Sequence, residues 1–209
     1  MNAFSARRQL LGRRVASGAV IGLVGLFAAG FAGKTGRAAP PTPPAIGASA
    51  APFALRALGG GAQVRLSDLI RRGPVVLVLL RGYPGYQCPV CTAQVGSLLS
   101  AAPQFAAAKA QVVLVYPGPS AGLERHADEF VRGKTLPSNF HLALDGDFAF
   151  TNRYGLRWDA PGETAYPSTF VINNKGRVTF AKISRSHGDR AQTDDILKAL
   201  GARRARRAN

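Results

Sequence analysis

Between residues 53 and 200, short apolar runs alternate with segments whose apolar positions recur at helical spacing. Residues 74–80 (PVVLVLL) and 111–116 (QVVLVY) are nearly unbroken apolar runs, the pattern of central strands covered on both faces. Residues 140–144 read as a third strand, and 168–173 with 177–183 read as a hairpin closed by Asn174-Lys175-Gly176. At the front, 53–58 and 62–66 flank three glycines and form a smaller hairpin, after which Ser67-Asp68 can cap a short helix to residue 71. Helical spacing covers 89–109, 123–132, 148–154 and 194–200. Strands separated by helices imply right-handed crossovers and a largely parallel α/β sheet with helices on both faces, to which the late hairpin adds an antiparallel edge.

Upstream, the pattern changes. Residues 1–14 are polar and arginine-rich, and 15–33 form an uncharged stretch of 19 residues with five glycines, the n-region and h-region of an export signal. Small residues at Gly36 and Ala38, or Gly30 and Ala32, would suit cleavage, and an uncleaved membrane anchor is the other reading. Residues 39–51 (APPTPPAIGASAA) carry four prolines and read as a stiff exposed linker. The expected organisation is therefore a signal segment at 1–38, a linker at 39–51, one domain at 52–201 and a basic tail at 202–209.

Composition narrows the classes. With 46% apolar residues in 209, the chain can bury a core, and two cysteines exclude a disulfide-stapled scaffold. The net charge of +16 is uneven: six basic residues and no acid lie in 1–39, and Arg203, Arg204, Arg206 and Arg207 crowd the tail. What remains between carries a modest excess, so nucleic-acid binding through a basic stripe on the folded part is not expected.

The chemistry concentrates in Cys88-Pro89-Val90-Cys91, directly after a buried strand and at a helix start. Backbone N–H groups and the helix dipole there stabilise a thiolate, and Pro89 suits the first helical position because its missing N–H would have had no partner. Two intervening residues bring the sulfurs within bonding reach, so either a passive disulfide or a redox pair is possible. A zinc site would need further ligands at close spacing, whereas His126, His141 and His187 are scattered. Arg81, at the strand end, could favour the thiolate by its charge. Trp158 and Tyr154 could line a groove, although aromatics beside a short helix are more often packing. No nucleotide or flavin signature is present, since Gly59-Gly60-Gly61 lies in a hairpin, and no cofactor is expected.

The segments PVVLVLLRGYPGYQCPVC and YPSTFVINNKGRV, in this element order, resemble thioredoxin-fold proteins of the redoxin type. That group includes the alkyl hydroperoxide reductase/thiol-specific antioxidant family, bacterioferritin-comigratory-type peroxiredoxins and exported thioredoxin-like reductases. The resemblance implies a thioredoxin-like α/β fold with a central mixed sheet and helices on both faces. Likewise Ser5-Ala6-Arg7-Arg8-Gln9-Leu10-Leu11 resembles a twin-arginine signal, which implies export across the cytoplasmic membrane.

Two site patterns compete. Against the peroxiredoxin motif Pro-x-x-x-Thr-x-x-Cys, Pro84 and Cys91 match and Cys88 replaces the threonine. Against the thioredoxin-like Cys-x-x-Cys, Cys88 is the attacking and Cys91 the resolving cysteine. Peroxiredoxins place an arginine three residues before the phenylalanine of the late strand. Here that position is Pro167, which thioredoxin-like proteins use as a cis-proline against the cysteine motif. Other departures are Gln87, where thioredoxins usually have tryptophan, and the lack of an acidic residue in 74–80.

The leading expectation is an exported thiol–disulfide oxidoreductase acting through Cys88 and Cys91 on protein disulfides, with a thiol reductant as partner. A thiol peroxidase reducing hydroperoxides, with Cys91 or Cys88 as the peroxidatic cysteine, is the alternative. A copper chaperone with His187 as the distant ligand is a third, from a different class.

Overall fold

The computed structural model describes residues 40–201. The signal-type segment and the basic tail lie outside the described residues. In chain order the elements are β1 (Ala54–Ala57), β2 (Gln63–Arg65), α1 (Leu66–Arg72), β3 (Val75–Leu79), α2 (Pro89–Ser100), α3 (Ala102–Ala107), β4 (Gln111–Gly118), α4 (Leu123–Val131), β5 (Phe140–Gly146), α5 (Ala149–Arg153), β6 (Ser168–Ile172), β7 (Val178–Ile183) and α6 (Thr193–Ala199). They form one seven-stranded mixed sheet in the order β2-β1-β5-β4-β3-β6-β7, with β3, β4 and β5 parallel and the remaining pairs antiparallel.

The unbroken apolar run of β3 follows from its place. Val76, Val78 and Leu80 pack under Val95 and Leu98 of α2, Phe130 of α4 and Ile196 of α6, whereas Val75, Leu77 and Leu79 face Leu66 and Leu69 of α1 and Phe150 of α5. Successive strand side chains point to opposite faces, so a strand covered on both sides cannot tolerate alternation. Each fully buried Val or Leu contributes roughly 1.5–3 kcal/mol of transfer free energy.

The expected helix at 89–109 is two helices. Pro103 sits at the N-terminal end of α3, and a proline inside a helix forfeits a hydrogen bond and clashes with the preceding turn. The chain relaxes at Ala101 (φ −96°, ψ 10°) and restarts. The stretch expected as exposed linker is in part docked: Gly47 N–H donates to Val178 O, Val178 N–H to Ala48 O and Ala50 N–H to Gly176 O, while Tyr154 Oη–H reaches Ala51 O. Prolines cap the start of this segment, and its free backbone groups from Gly47 onward satisfy the outer edge of β7.

Candidate redox site

β3 delivers the site. Its carboxyl end runs through Leu80 into Arg81 and the 82–87 loop, which turns back so that Cys88 becomes the N-cap of α2 with Pro89 opening the helix. A side-chain acceptor at the N-cap normally satisfies a free N–H of the first turn. Here sulfur does this: Cys88 Sγ accepts from Cys91 N–H at 3.3 Å. The residue before the pair is pinned as well. Gln87 Nε2 donates to His126 O at 2.8 Å, and Tyr116 Oη–H donates to Gln87 Oε1 at 2.9 Å. Gln87, which stands where a tryptophan was expected, thus ties the cysteine loop to β4 and α4.

Both thiols are free and buried. Cys91 Sγ accepts from Arg81 N–H at 3.4 Å, and Arg190 Nη2 lies 3.9 Å from Cys88 Sγ and 3.7 Å from Cys91 Sγ. The two sulfurs are thereby driven apart in acidity. The hydrogen bond from the Cys91 thiol lowers Cys88 most, the Cys91 N–H and the charges of Arg190 and Arg81 add to it, and together they overcome burial to bring Cys88 to about 6. Cys91, which donates that bond and is itself deeply buried, is pushed well above the usual thiol range. The arrangement is a thiolate beside a protonated partner, able to attack an electrophile and then close a disulfide.

Arg81 adds a charge effect at Cys88 smaller than that of Arg190, and has a second task. Its guanidinium is buried but committed: Nε donates to Glu163 Oε2 at 2.9 Å, Nη1 to Tyr86 Oη at 2.6 Å and Nη2 to Gly162 O at 2.9 Å. The neighbouring carboxylate offsets much of its charge, so Arg81 serves the pair mainly through its backbone N–H and Arg190 supplies the larger field at Cys88. Pro167 differs from expectation. No peptide bond among the described residues is cis. Tyr166 N–H donates to Leu156 O and Trp158 N–H to Thr164 O, a short ladder that runs extended and trans through Pro167 into β6. Pro167 is buried, and its carbonyl accepts from Ser184 N–H at 2.9 Å.

His187 does not join the sulfurs. Its Nε2 meets Glu163 Oε1 at 2.8 Å, and Trp158 stacks on Tyr166 with His187 tilted beside it. Tyr154 is packing, buried and stacked on Phe150 at 4.2 Å. Among the described residues no cluster of three or more His, Cys, Asp or Glu could hold a metal ion.

Sequence reasoning missed Arg190 and Glu163. Neither lies in a periodic element; each is a charge in an irregular loop, at Gly188-Asp189-Arg190 and Pro161-Gly162-Glu163. The one available signal was that both loops abut the ends of the β6–β7 hairpin, which a mixed sheet brings beside the end of β3.

A thiolate-bearing Cys-x-x-Cys at the N-terminus of a helix, beside a mixed sheet of this order, defines a thiol-dependent oxidoreductase of the thioredoxin-like fold. The AhpC/TSA family profile matches residues 46–181, and the chain belongs to that family. Among solved structures it is similar to the peroxidoxin BcpB of Mycobacterium tuberculosis at 25% identity (TM-score 0.61), with 78% of this chain and 99% of that one covered. It is also similar, at the same 25% identity and TM-score 0.56, to a Chlorobium tepidum protein assigned as the thiol:disulfide interchange protein DsbE, over 76% of this chain and 99% of the other. AhpC of Mycobacterium tuberculosis shares the fold at 17% identity and TM-score 0.60, over 77% and 93% of the two chains. No curated protein matches.

Proposed function

We propose that this protein is an exported thiol–disulfide oxidoreductase in which Cys88 is the nucleophile and Cys91 the resolving thiol. The observation that carries this reading is that Cys88 Sγ, at the N-cap of α2, accepts from Cys91 N–H with Arg190 beside it, which favours Cys88 as the thiolate. The Cys88 thiolate attacks one sulfur of a substrate disulfide and expels the other as a thiolate, leaving a mixed disulfide. Cys91 then loses its proton and attacks Cys88 Sγ, releasing the second substrate thiolate. The substrate gains two electrons, the protein holds a Cys88–Cys91 disulfide, and a thiol reductant restores the dithiol. Export rests on the Arg7-Arg8 segment and the uncharged stretch after it. A fusion of residues 1–51 to a reporter that needs folding before transport tests it, with Arg7→Lys/Arg8→Lys expected to abolish export.

A second reading has its own support. Arg190 against both sulfurs, with membership in the AhpC/TSA family, favours a hydroperoxide as electrophile. Cys88 would take the distal oxygen, becoming a sulfenic acid and releasing an alcohol or water, and condensation with the Cys91 thiol would expel water to form the same disulfide. Parallel assays of disulfide reduction and peroxide consumption, each with Cys88→Ser and Cys91→Ser, decide. Disulfide turnover abolished by Cys88→Ser with negligible peroxide consumption supports the first reading. Rapid peroxide turnover lost in Cys88→Ser supports the second, and turnover lost only in Cys91→Ser overturns the assignment of nucleophile in both.

A further inference from the structure

The loop that carries Arg190 is a poor platform by itself. Residues 185–189 are exposed, yet Arg190 is only 8% exposed and its Nη1 has no hydrogen-bond partner among the described residues. Among the described residues no ion pair to a carboxylate is formed by its guanidinium. Its Nε donates to His187 O at 3.2 Å and its N–H to Gly188 O, so its placement depends on where the loop is held. Most of the loop's other bonds stay within the loop and the end of β7: Ser184 Oγ–H to Ser186 O, Asp189 N–H to Ser186 Oγ, and the Lys182–Asp189 ion pair at 2.7 Å. Ser184 N–H anchors the loop's first residue to Pro167, but six residues short of Arg190.

The hydrogen bond that ties the middle of the loop to the body is from His187 to Glu163 Oε1 at 2.8 Å, beside a looser contact of the Arg185 guanidinium with the Tyr166 ring. Glu163 in turn is held by Arg81 Nε through its other oxygen, and burial, which would raise its pKa, is outweighed by these two bonds and the charges behind them, so the carboxylate stays ionised. A closed ring results. Cys91 Sγ accepts from the Arg81 N–H; the Arg81 side chain grips Glu163; Glu163 grips His187; the His187 carbonyl grips Arg190; and Arg190 returns to both sulfurs.

Resting on the reading above, we propose that Glu163 and His187 are positioning residues that hold the 184–190 loop so that Arg190 faces the Cys88–Cys91 pair. Without that grip the guanidinium regains water by swinging outward, as long charged side chains do wherever their stem allows.

The sign of the effect separates positioning from simple electrostatics. The charged groups near the sulfurs are Arg81 and Arg190, with the neutral Tyr116 phenol beside Cys91; those facing Glu163 are Arg81 and His187. Removing the Glu163 charge leaves Arg81 unneutralised, which by direct field alone favours the Cys88 thiolate. Losing Arg190 disfavours it. The experiment follows the pH dependence of iodoacetamide alkylation of the fully reduced full-length chain, with the alkylated residue identified by mass spectrometry. Arg190→Met should slow alkylation of Cys88 at pH 6 by roughly three- to tenfold. Glu163→Gln and His187→Ala should each slow it by roughly threefold or more, His187→Gln should restore most of the rate, and Glu163→Gln should cause no further slowing in the Arg190→Met background. Acceleration or no change in Glu163→Gln, with Arg190→Met slow, overturns the positioning role alone, as does no effect of Arg190→Met. Should Glu163→Gln fail to fold, the half-exposed His187 variants decide the same question. Alkylation first at Cys91 instead overturns the functional reading on which the proposal rests.

Discussion

Arg190 Nη2 stands 3.9 Å from Cys88 Sγ although 102 residues separate the two in the chain. The antiparallel pairing of β6 with β3 and of β7 with β6 makes this possible, because β7 ends at Ile183 opposite Ser168, and Ser168 lies opposite Leu79. The loop after β7 therefore emerges beside the loop after β3. A guanidinium in this position stabilises the thiolate, hence the reduced state. Arg190→Met should make the disulfide harder to reduce, shifting equilibrium with a glutathione buffer by roughly tenfold, or about 30 mV towards more negative potential. An unchanged potential would mean that Arg190 neutralises something other than the thiolate.

The acidity of Cys88 also governs stability. An unfolded thiol ionises near its ordinary value of 9.0, and Cys88 in the folded protein near 6. A depressed value contributes stability fully present above pH 9, and lost as pH falls through 6. Cys91, pushed upward, acts oppositely above pH 9, where only the unfolded chain ionises it. The reduced protein should therefore gain on the order of a few kcal/mol between pH 6 and 9, followed by a decline at higher pH. Denaturation under reducing conditions checks this, and the rise should be absent in Cys88→Ser.

The sheet was legible because its central strands are apolar on both faces, and Cys88 was legible because a cysteine before proline after a buried strand has few other uses. What could not be read was tertiary. Position 167, where the resemblance to peroxiredoxins implies an arginine, holds Pro167, and the sequence offered only Arg81 as a charge near the pair; Arg190 arrives from another loop, so Pro167→Arg would bury a further charge rather than fill a gap. The cis geometry expected of Pro167 failed for a related reason, since residues 164–166 pair with 156–158 and pass extended into β6. The helix break at Ala101 goes with Pro103 at the start of α3, a residue that the helical spacing of 89–109 does not reveal.

Asp145 is a buried carboxylate away from the sulfurs. It accepts from Phe150 N–H at 2.7 Å, Thr151 N–H at 2.9 Å and Thr151 Oγ–H at 2.6 Å, tying the end of β5 to the first turn of α5, whose N-cap Phe148 has no side-chain cap bond. Burial nevertheless raises its pKa above the ordinary carboxylate range, so the desolvation cost is partly offset, not removed. Asp145→Ala leaves those donors buried without partners and should cost about 2–3 kcal/mol in urea unfolding. The alkylation profile of Cys88 should be unchanged, which distinguishes a structural cap from a contribution to the site.

Two glycines of the cysteine loop separate conformational cost from close approach. Gly82 (φ +73°) and Gly85 (φ +111°) both occupy backbone regions that disfavour side chains. A Cβ on Gly85 would meet nothing within 4 Å, whereas on Gly82 it would overlap the carbonyl oxygen of Pro117 at the end of β4. Gly85→Ala should thus cost about 1–2 kcal/mol, and Gly82→Ala more, about 2–4 kcal/mol, because β3 and β4 must part there. The consequence for chemistry differs too. Gly82 follows Arg81, whose N–H faces Cys91 Sγ, so parting the strands moves the donor that helps Cys91 ionise when it attacks. In single-turnover experiments Gly82→Ala should slow closure of the Cys88–Cys91 disulfide severalfold, while Gly85→Ala leaves closure near the unmodified rate. Equal effects of the two substitutions would show that loop conformation alone, and not contact with β4, sets the position of Arg81.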